Sequence, residues 1–264
     1  MKKHYILLIT LFAIILLSIN HFFLKDSNNL EHINLSSWQE TDPSPFRQQQ
    51  MQFERVRNAY AEKEISLKKI LVSKDIHSFD YDLFLRAFKK EEILEAWVKP
   101  KGDSKYKLLT SYPFCKNSGS LGPKRMEGDG QIPEGFYRIS HFNPKSSFLL
   151  SLKVNYPNDS DKILSDPTKP GNDIYLHGGC QTIGCIPITN DKIQELYLLA
   201  VEAHEAGKSI PIHIFPTKHF QDILEEENSH FLFWKNLEKG FEYFEENKDL
   251  PKIEVLEDGK YSFF

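Results

Sequence analysis

Cysteine is scarce in this 264-residue chain. There are three, and an odd number cannot close into a complete set of disulfides, so at least one thiol is left over. Positive charge is also short. Thirty-three lysines and arginines against 37 aspartates and glutamates give a formal net charge of −4, which leaves no basic excess for binding nucleic acid through its phosphates. The deficit is local: residues 221–258 hold twelve acids and four lysines, the pattern of a solvated acidic surface. Internal repeats and low-complexity tracts are absent. There is one long apolar run, at the N-terminus, which excludes a polytopic membrane protein. The rest is ordinary globular material, 40% hydrophobic, 13% aromatic and 27% charged; it fits one large domain or two small ones and excludes global disorder.

The apolar run, Tyr5 to Leu24, follows Met1-Lys2-Lys3-His4 and is weakened by Thr10, Ser18, Asn20 and His21. A basic start before an apolar run is the pattern of an export signal or a signal anchor, and about 20 residues suffice to cross a bilayer as a helix. No small-x-small cleavage site and no cysteine for lipidation follow it. The reading is therefore an uncleaved membrane anchor over residues 1–24, with Lys2 and Lys3 cytoplasmic and the body exported. A cleaved signal peptide is the alternative. Residues 25–46, polar and containing Asp42-Pro43-Ser44-Pro45, read as a linker.

Beyond the linker, Phe53, Val56, Tyr60, Leu67 and Leu71 recur at helical spacing and predict one amphipathic N-terminal helix within residues 47–75. Tyr81–Lys89, Ile93–Lys99, Tyr106–Tyr112, Phe136–Phe142, Phe148–Val154, Asp173–His177 and Ile210–Phe215 read as strands, with a turn at Asn155-Tyr156-Pro157-Asn158. Helices are expected over Asp191–His204, capped by Asn190 and stopped by Gly207, and over Phe231–Glu246. Ile253–Phe263 reads as a terminal hairpin or strand. Residues 113–135 hold eight glycines and prolines and form a long ordered loop, and such loops are often functional. The fold class is α+β, strand-rich in the centre with flanking helices, and residues 76–264 form the functional domain.

Chemistry concentrates in Ile174-Tyr175-Leu176-His177-Gly178-Gly179-Cys180-Gln181-Thr182-Ile183-Gly184-Cys185-Ile186-Pro187. A strand ends in histidine, two glycines allow a tight turn, and a Gly-Cys pair precedes a helix. A cysteine attacks carbonyls as thiolate and needs a partner that takes its proton; a histidine can be that base and then return the proton to a leaving amine. The glycine before Cys185 leaves backbone N–H groups uncrowded enough to form an oxyanion hole. Three blander readings stand beside this one. They are a core cysteine with a capping histidine, a zinc site on His177, Cys180 and Cys185, which lacks a second paired-ligand element, and a redox pair of Cys180 with Cys185.

The same segment resembles the active-site motif of the YkuD-type L,D-transpeptidase catalytic domain, in which His-Gly precedes an S/T-x-G-C nucleophile segment, and within that family its YafK-like branch. The resemblance runs from about Tyr81 to the C-terminus through RAFKKEEILEAW, YPFCKNSGSLGPK, EGDGQIPEGFY, SLKVNYPN, FWKNLEKGFEYF and GKYSFF. It implies a mostly-β catalytic fold and a periplasmic enzyme of cell-wall biogenesis and cell shape, its N-terminal segment in the inner membrane, that acts on peptidoglycan stem peptides without a cofactor or metal. By that resemblance Cys185 is the nucleophile, His177 the general base and Thr182 the motif hydroxyl, and the Gly184 and Cys185 amides form the oxyanion hole. The thiol would attack the carbonyl on the L-centre of diaminopimelate, expel D-alanine and pass the acyl group to an amine, or to water in an editing hydrolase (an amidase or L,D-carboxypeptidase). A non-catalytic wall-binding module is a third possibility. Ile183 stands where the better-known branch has histidine and Pro187 where it has arginine, so recognition of the donor differs.

Around the motif, Arg138 and Lys124 are the first candidates for substrate carboxylates, and Tyr156 and Gly178 for further substrate contact. Cys180 reads either as a small buried residue or as a shaper of the turn. Cys115 could pair with it in an oxidising compartment, leaving Cys185 as the free thiol. His204 and His213 fall on apolar faces and read as core or edge residues. Oligomeric state has no signature in the sequence.

Overall fold

The strands at the centre are apolar on both faces, which requires cover on both sides. A computed structural model describes residues 30–204 and 209–264. The anchor of residues 1–24, the first five linker residues and Gly207 lie outside the described residues, and among the described residues no helix is long and apolar enough to cross a membrane.

Eight strands form one sheet. In chain order they are β1 (Tyr81–Phe88), β2 (Ile93–Pro100), β3 (Lys107–Pro113), β4 (Gly135–Asn143), β5 (Ser151–Val154), β6 (Tyr175–His177), β7 (Ile186–Pro187) and β8 (Pro211–Phe215). Their order in space is β3-β2-β1-β8-β4-β5-β6-β7. Neighbours are antiparallel except β1 with β8 and β6 with β7. Two further strands, β9 (Ile253–Val255) and β10 (Tyr261–Phe263), close the expected C-terminal hairpin. The helices are α1 (Pro45–Gln50), α2 (Glu54–Val72), α3 (Asp159–Leu164), α4 (Thr189–Ala203) and α5 (Phe231–Asn247).

Side-chain alternation on β8 divides the core. Ile212 and Ile214 enter the large cluster beneath α2 and α4, with Leu67, Leu71, Leu85, Leu196 and Leu199. Phe215 enters an aromatic cluster under α5 with Phe88, Phe136, Trp234 and Leu237. His213 belongs to that second face, edge-on to Phe84 and Phe136 at 4.6 Å from each. Burial pushes its pKa down to about 3, so it is a neutral core residue, as its position on an apolar face suggested.

The structure differs locally from the sequence expectations at four places. The N-terminal helix is two helices. Ser44 caps the first, with Pro45 in its opening turn, and Phe53 is extended (φ −89°, ψ 129°) before the second begins. Arg57 holds this break, its Nη1 donating to the Met51 and Gln52 carbonyls. The strand expected from Phe148 starts only at Ser151, because Leu149 takes φ +71° and Phe148 is drawn elsewhere. Helix α3, not expected from the sequence, begins directly after the expected turn: Asn158 caps it reciprocally with Asp161. Asn190 is not the cap of α4, whose N-cap is Ile188.

The loop between Pro113 and Gly135 carries no regular element, as expected, and is held from inside. Lys89, 1% exposed, donates from Nζ to the Gly122 and Ile132 carbonyls and to Glu134 Oε1. Glu134, 0% exposed, also accepts from the Gly122 N–H and from Trp234 Nε1. One ion pair thus anchors both ends of the glycine-rich stretch to β1 and α5, leaving the stretch before it to reach toward β6 and β7.

Candidate active site

Strand β6 ends in His177, whose ring is buried at 2% exposure. Its Nδ1 lies 2.6 Å from the Gly178 carbonyl oxygen. A carbonyl only accepts, so Nδ1 carries the hydrogen and Nε2 is left as a lone-pair base. Phe148 stacks on the ring at 4.5 Å and fixes its plane. Gly178 permits this turn: a Cβ there would stand 2.5 Å from Asn190 Oδ1 and 2.6 Å from the Phe148 carbonyl oxygen. Asn190 Oδ1 in turn accepts from the Gly179 N–H at 2.9 Å.

Strand β7 runs parallel to β6 with His177 opposite Pro187, which sets Cys185 beside the start of β6. Neighbouring strands stand about 4.8 Å apart and rise about 3.3 Å per residue, so the two Cα atoms are on the order of 8 Å apart, within side-chain reach. Here the Cys185 thiol donates to the Asp173 carbonyl at 3.5 Å. Its backbone is locked by Thr182, whose Oγ1 accepts from the Cys185 N–H at 2.9 Å and donates to the Cys185 carbonyl at 2.7 Å. Gly184 has φ +100°, and a Cβ on it would meet the Gln131 carbonyl oxygen at 2.8 Å. The long loop therefore lies directly against the turn that carries Cys185.

A disulfide joins that loop to the site. Cys115 is bonded to Cys180 with Cα atoms 5.4 Å apart, and Cys185 is free. Cys180 is exposed and not a small buried residue. Its oxidation also removes it from the trio considered for zinc and from a pair with Cys185. Three side chains at the site, Ser118, Phe148 and Asn190, were not expected there. Ser118 and Phe148 come from distant segments, and Asn190 was assigned to helix capping.

The residues considered for substrate contact separate. Arg138 is exposed on β4 and lines a cavity of about 530 Å³ with Asn155, Lys162 and Tyr261; neither His177 nor Cys185 lines it. Lys124 is 5% exposed, with Nζ donating to Asp129 Oδ1 at 2.6 Å and to the Met126 carbonyl at 2.9 Å. Tyr156 is also buried, and its hydroxyl lies 2.8 Å from the Pro170 carbonyl and 3.3 Å from that of Lys124. Lys124 and Tyr156 thus brace the loop from within, and Gly178 orients His177.

A profile of the YkuD L,D-transpeptidase catalytic domain matches residues 95–212. YafK of Escherichia coli (strain K12), named as an L,D-transpeptidase, is 33% identical over 184 residues, covering 68% of this chain and 72% of YafK. The chain belongs to the YkuD family of L,D-transpeptidases. Among solved structures, the helical cell shape determining protein Pgp2 of Campylobacter jejuni matches at 18% identity and TM-score 0.43, over 67% of this chain and 73% of Pgp2. Bd1075 of Bdellovibrio bacteriovorus matches at 23% identity and TM-score 0.37, over 63% and 57% of the two chains.

In this candidate site of an L,D-transpeptidase-family chain, burial disfavours the charged form of both His177 and Cys185. Burial pushes the Cys185 thiol up; the Tyr175 N–H pulls it partly back, Asp173 adds to the rise and the Lys124 charge opposes it. Burial pushes the His177 imidazolium down, against a smaller opposite pull from the Gly178 carbonyl. Both directions favour a thiol beside a neutral imidazole over a thiolate–imidazolium pair.

Proposed function

We propose that this family member is a cysteine acyltransferase acting on peptidoglycan stem peptides. His177 Nε2 takes the Cys185 proton as Sγ bonds to the carbonyl carbon on the L-centre of diaminopimelate. The C–N bond then breaks, and His177 returns the proton to the departing D-alanine amine. An amine of a second stem attacks the thioester, joining the stems and freeing the thiol. The observation that carries the reading is the Nδ1–H contact to the Gly178 carbonyl, which leaves Nε2 basic on the strand beside the free thiol.

Hydrolysis by the same pair is the second reading, favoured by Pro187 at the arginine place. That removes a bidentate carboxylate partner from the turn. The test is to supply disaccharide-tetrapeptide with and without excess acceptor amine and to resolve the products by mass. Dimer that grows with acceptor supports transfer; acceptor-independent release of tripeptide assigns a hydrolase.

The proposed acid–base pair has a pH signature. Nε2 accepts a proton only when the ring is neutral, and the folded pKa of His177 is lowered from 6.5. Activity is expected to hold as pH falls through 6.5 and to drop only below it, read as the acid limb of kcat/KM. A limb above 6.5 would contradict a base in this setting.

We further propose that the body works outside the cytoplasm, tethered by residues 1–24. The Lys2-Lys3 start supports that topology, and the Cys115–Cys180 bond suits an oxidising compartment. A C-terminal alkaline phosphatase fusion is expected to be active in intact cells; an inactive fusion contradicts export.

A further inference from the structure

Both backbone amides beside the proposed nucleophile are already engaged. The Cys185 N–H donates to Thr182 Oγ1 at 2.9 Å, and the Gly184 N–H donates to Ser118 Oγ at 2.7 Å. An oxyanion hole built from those two amides would have to break a good hydrogen bond at each. The two hydroxyls differ, however. Thr182 also commits its proton, to the Cys185 carbonyl at 2.7 Å. Ser118 uses only a lone pair on Gly184, and a serine hydroxyl keeps one rotatable O–H donor beyond that.

Ser118 is positioned with the care of a site residue. Its own N–H donates to Asn117 Oδ1 at 2.9 Å, while Asn117 Nδ2 donates to the Lys89 carbonyl at 3.1 Å. Three residues earlier Cys115 is fixed twice, through the disulfide to Cys180 and through its N–H to the Pro187 carbonyl at 2.9 Å. The Gln131 carbonyl presses on Gly184 from the other limb of the same loop. Ser118 thus sits on a stretch bolted to the nucleophile's turn and to the buried Lys89 segment, and it is half-buried.

We propose that Ser118 is a catalytic residue whose O–H donates a hydrogen bond to the oxyanion formed at Cys185, with the Gly184 N–H polarising it from behind. The proposal rests on the acyl-transfer reading above. As the Sγ–C bond forms, the carbonyl π pair moves onto oxygen and Ser118 stabilises that charge without giving up its proton. When the pair returns to re-form C=O, the C–N bond breaks and the amine leaves with the proton from His177. A donor chain of two hydrogen bonds places more positive potential at the oxyanion than an isolated hydroxyl does.

Two reactions of Cys185 separate this role from a structural one. Alkylation by iodoacetamide displaces iodide from a tetrahedral carbon and forms no oxyanion, whereas acylation by a carbapenem passes through one. In the full-length chain, Ser118→Ala is expected to alkylate within about twofold of wild type but to acylate about 10²–10³-fold more slowly. Ser118→Thr keeps the hydroxyl and is expected to recover most of the acylation rate. Ser118→Val, matched to threonine in shape, is expected to stay as slow as alanine, which keeps the comparison valid if alanine disturbs the loop. Equal slowing of alkylation and acylation, or wild-type acylation in both alanine and valine variants, overturns the role of Ser118. A wild-type chain that alkylates but takes no acyl group overturns the acyl-transfer reading, and this proposal with it.

Discussion

Cys185→Ala is expected to leave a folded chain that forms no acyl adduct with a tetrapeptide stem, and His177→Ala to lower kcat/KM by about 10²–10⁴-fold. The cysteine loss is complete because the other two cysteines are bonded to each other. The histidine loss is graded because the half-buried Cys185 thiol keeps its own weak acidity when the base is gone. Cys180→Ala breaks the loop tether but leaves the Cys185 thiol in place and is expected to keep part of the activity. Intact-mass spectrometry followed by peptide mapping reads all three. An adduct on any residue but Cys185, or near-normal turnover of His177→Ala, would show that the chemistry lies elsewhere.

Glu134→Ala is expected to be among the most destabilising single changes, at about 3–5 kcal/mol, because it leaves the Lys89 ammonium buried without its counter-charge. Burial already pushes the Lys89 pKa down, and Glu134 is the main group opposing that. The carboxylate further satisfies the Gly122 N–H and Trp234 Nε1, and each orphaned donor adds about 1–3 kcal/mol. Removing both charges, as in Lys89→Met with Glu134→Leu, is expected to recover only part of the loss, since those two donors remain unpaired. Urea midpoints at matched m-values measure the series. A double variant less stable than Glu134→Ala would mean that the buried ammonium is not the source of the cost.

What the sequence reveals and what it hides divide along distance in the chain. His177 and Cys185 are legible together because one strand, one turn and the next strand start bring them to adjoining positions, all within one motif. Strands β1 and β2 are legible from composition. The pairing of β1 with β8, which builds the centre of the sheet, has no local trace. Ser118 reaches Gly184 across 66 residues, and nothing in Lys116-Asn117-Ser118-Gly119 states that its hydroxyl meets the turn that carries Cys185. Lys124 and Tyr156 mislead for a related reason: a cation and a phenol near a motif look available, and burial within the loop is what engages them. Helix α3 is missed because six residues offer no full apolar period, and only Asn158 with Asp161 marks its start.

The Cys115–Cys180 bond makes this a protein with a single titratable thiol. Five residues of chain separate Cys180 from Cys185, so an unstructured chain meets that pairing far more often than one spanning 65 residues. The fold reverses the preference by seating Cys180 against Cys115. Any single disulfide leaves one thiol, so under non-reducing conditions a maleimide takes up one equivalent per chain whichever pair has formed, and the position of the label counts the correctly paired molecules: only the Cys115–Cys180 pairing puts it on Cys185.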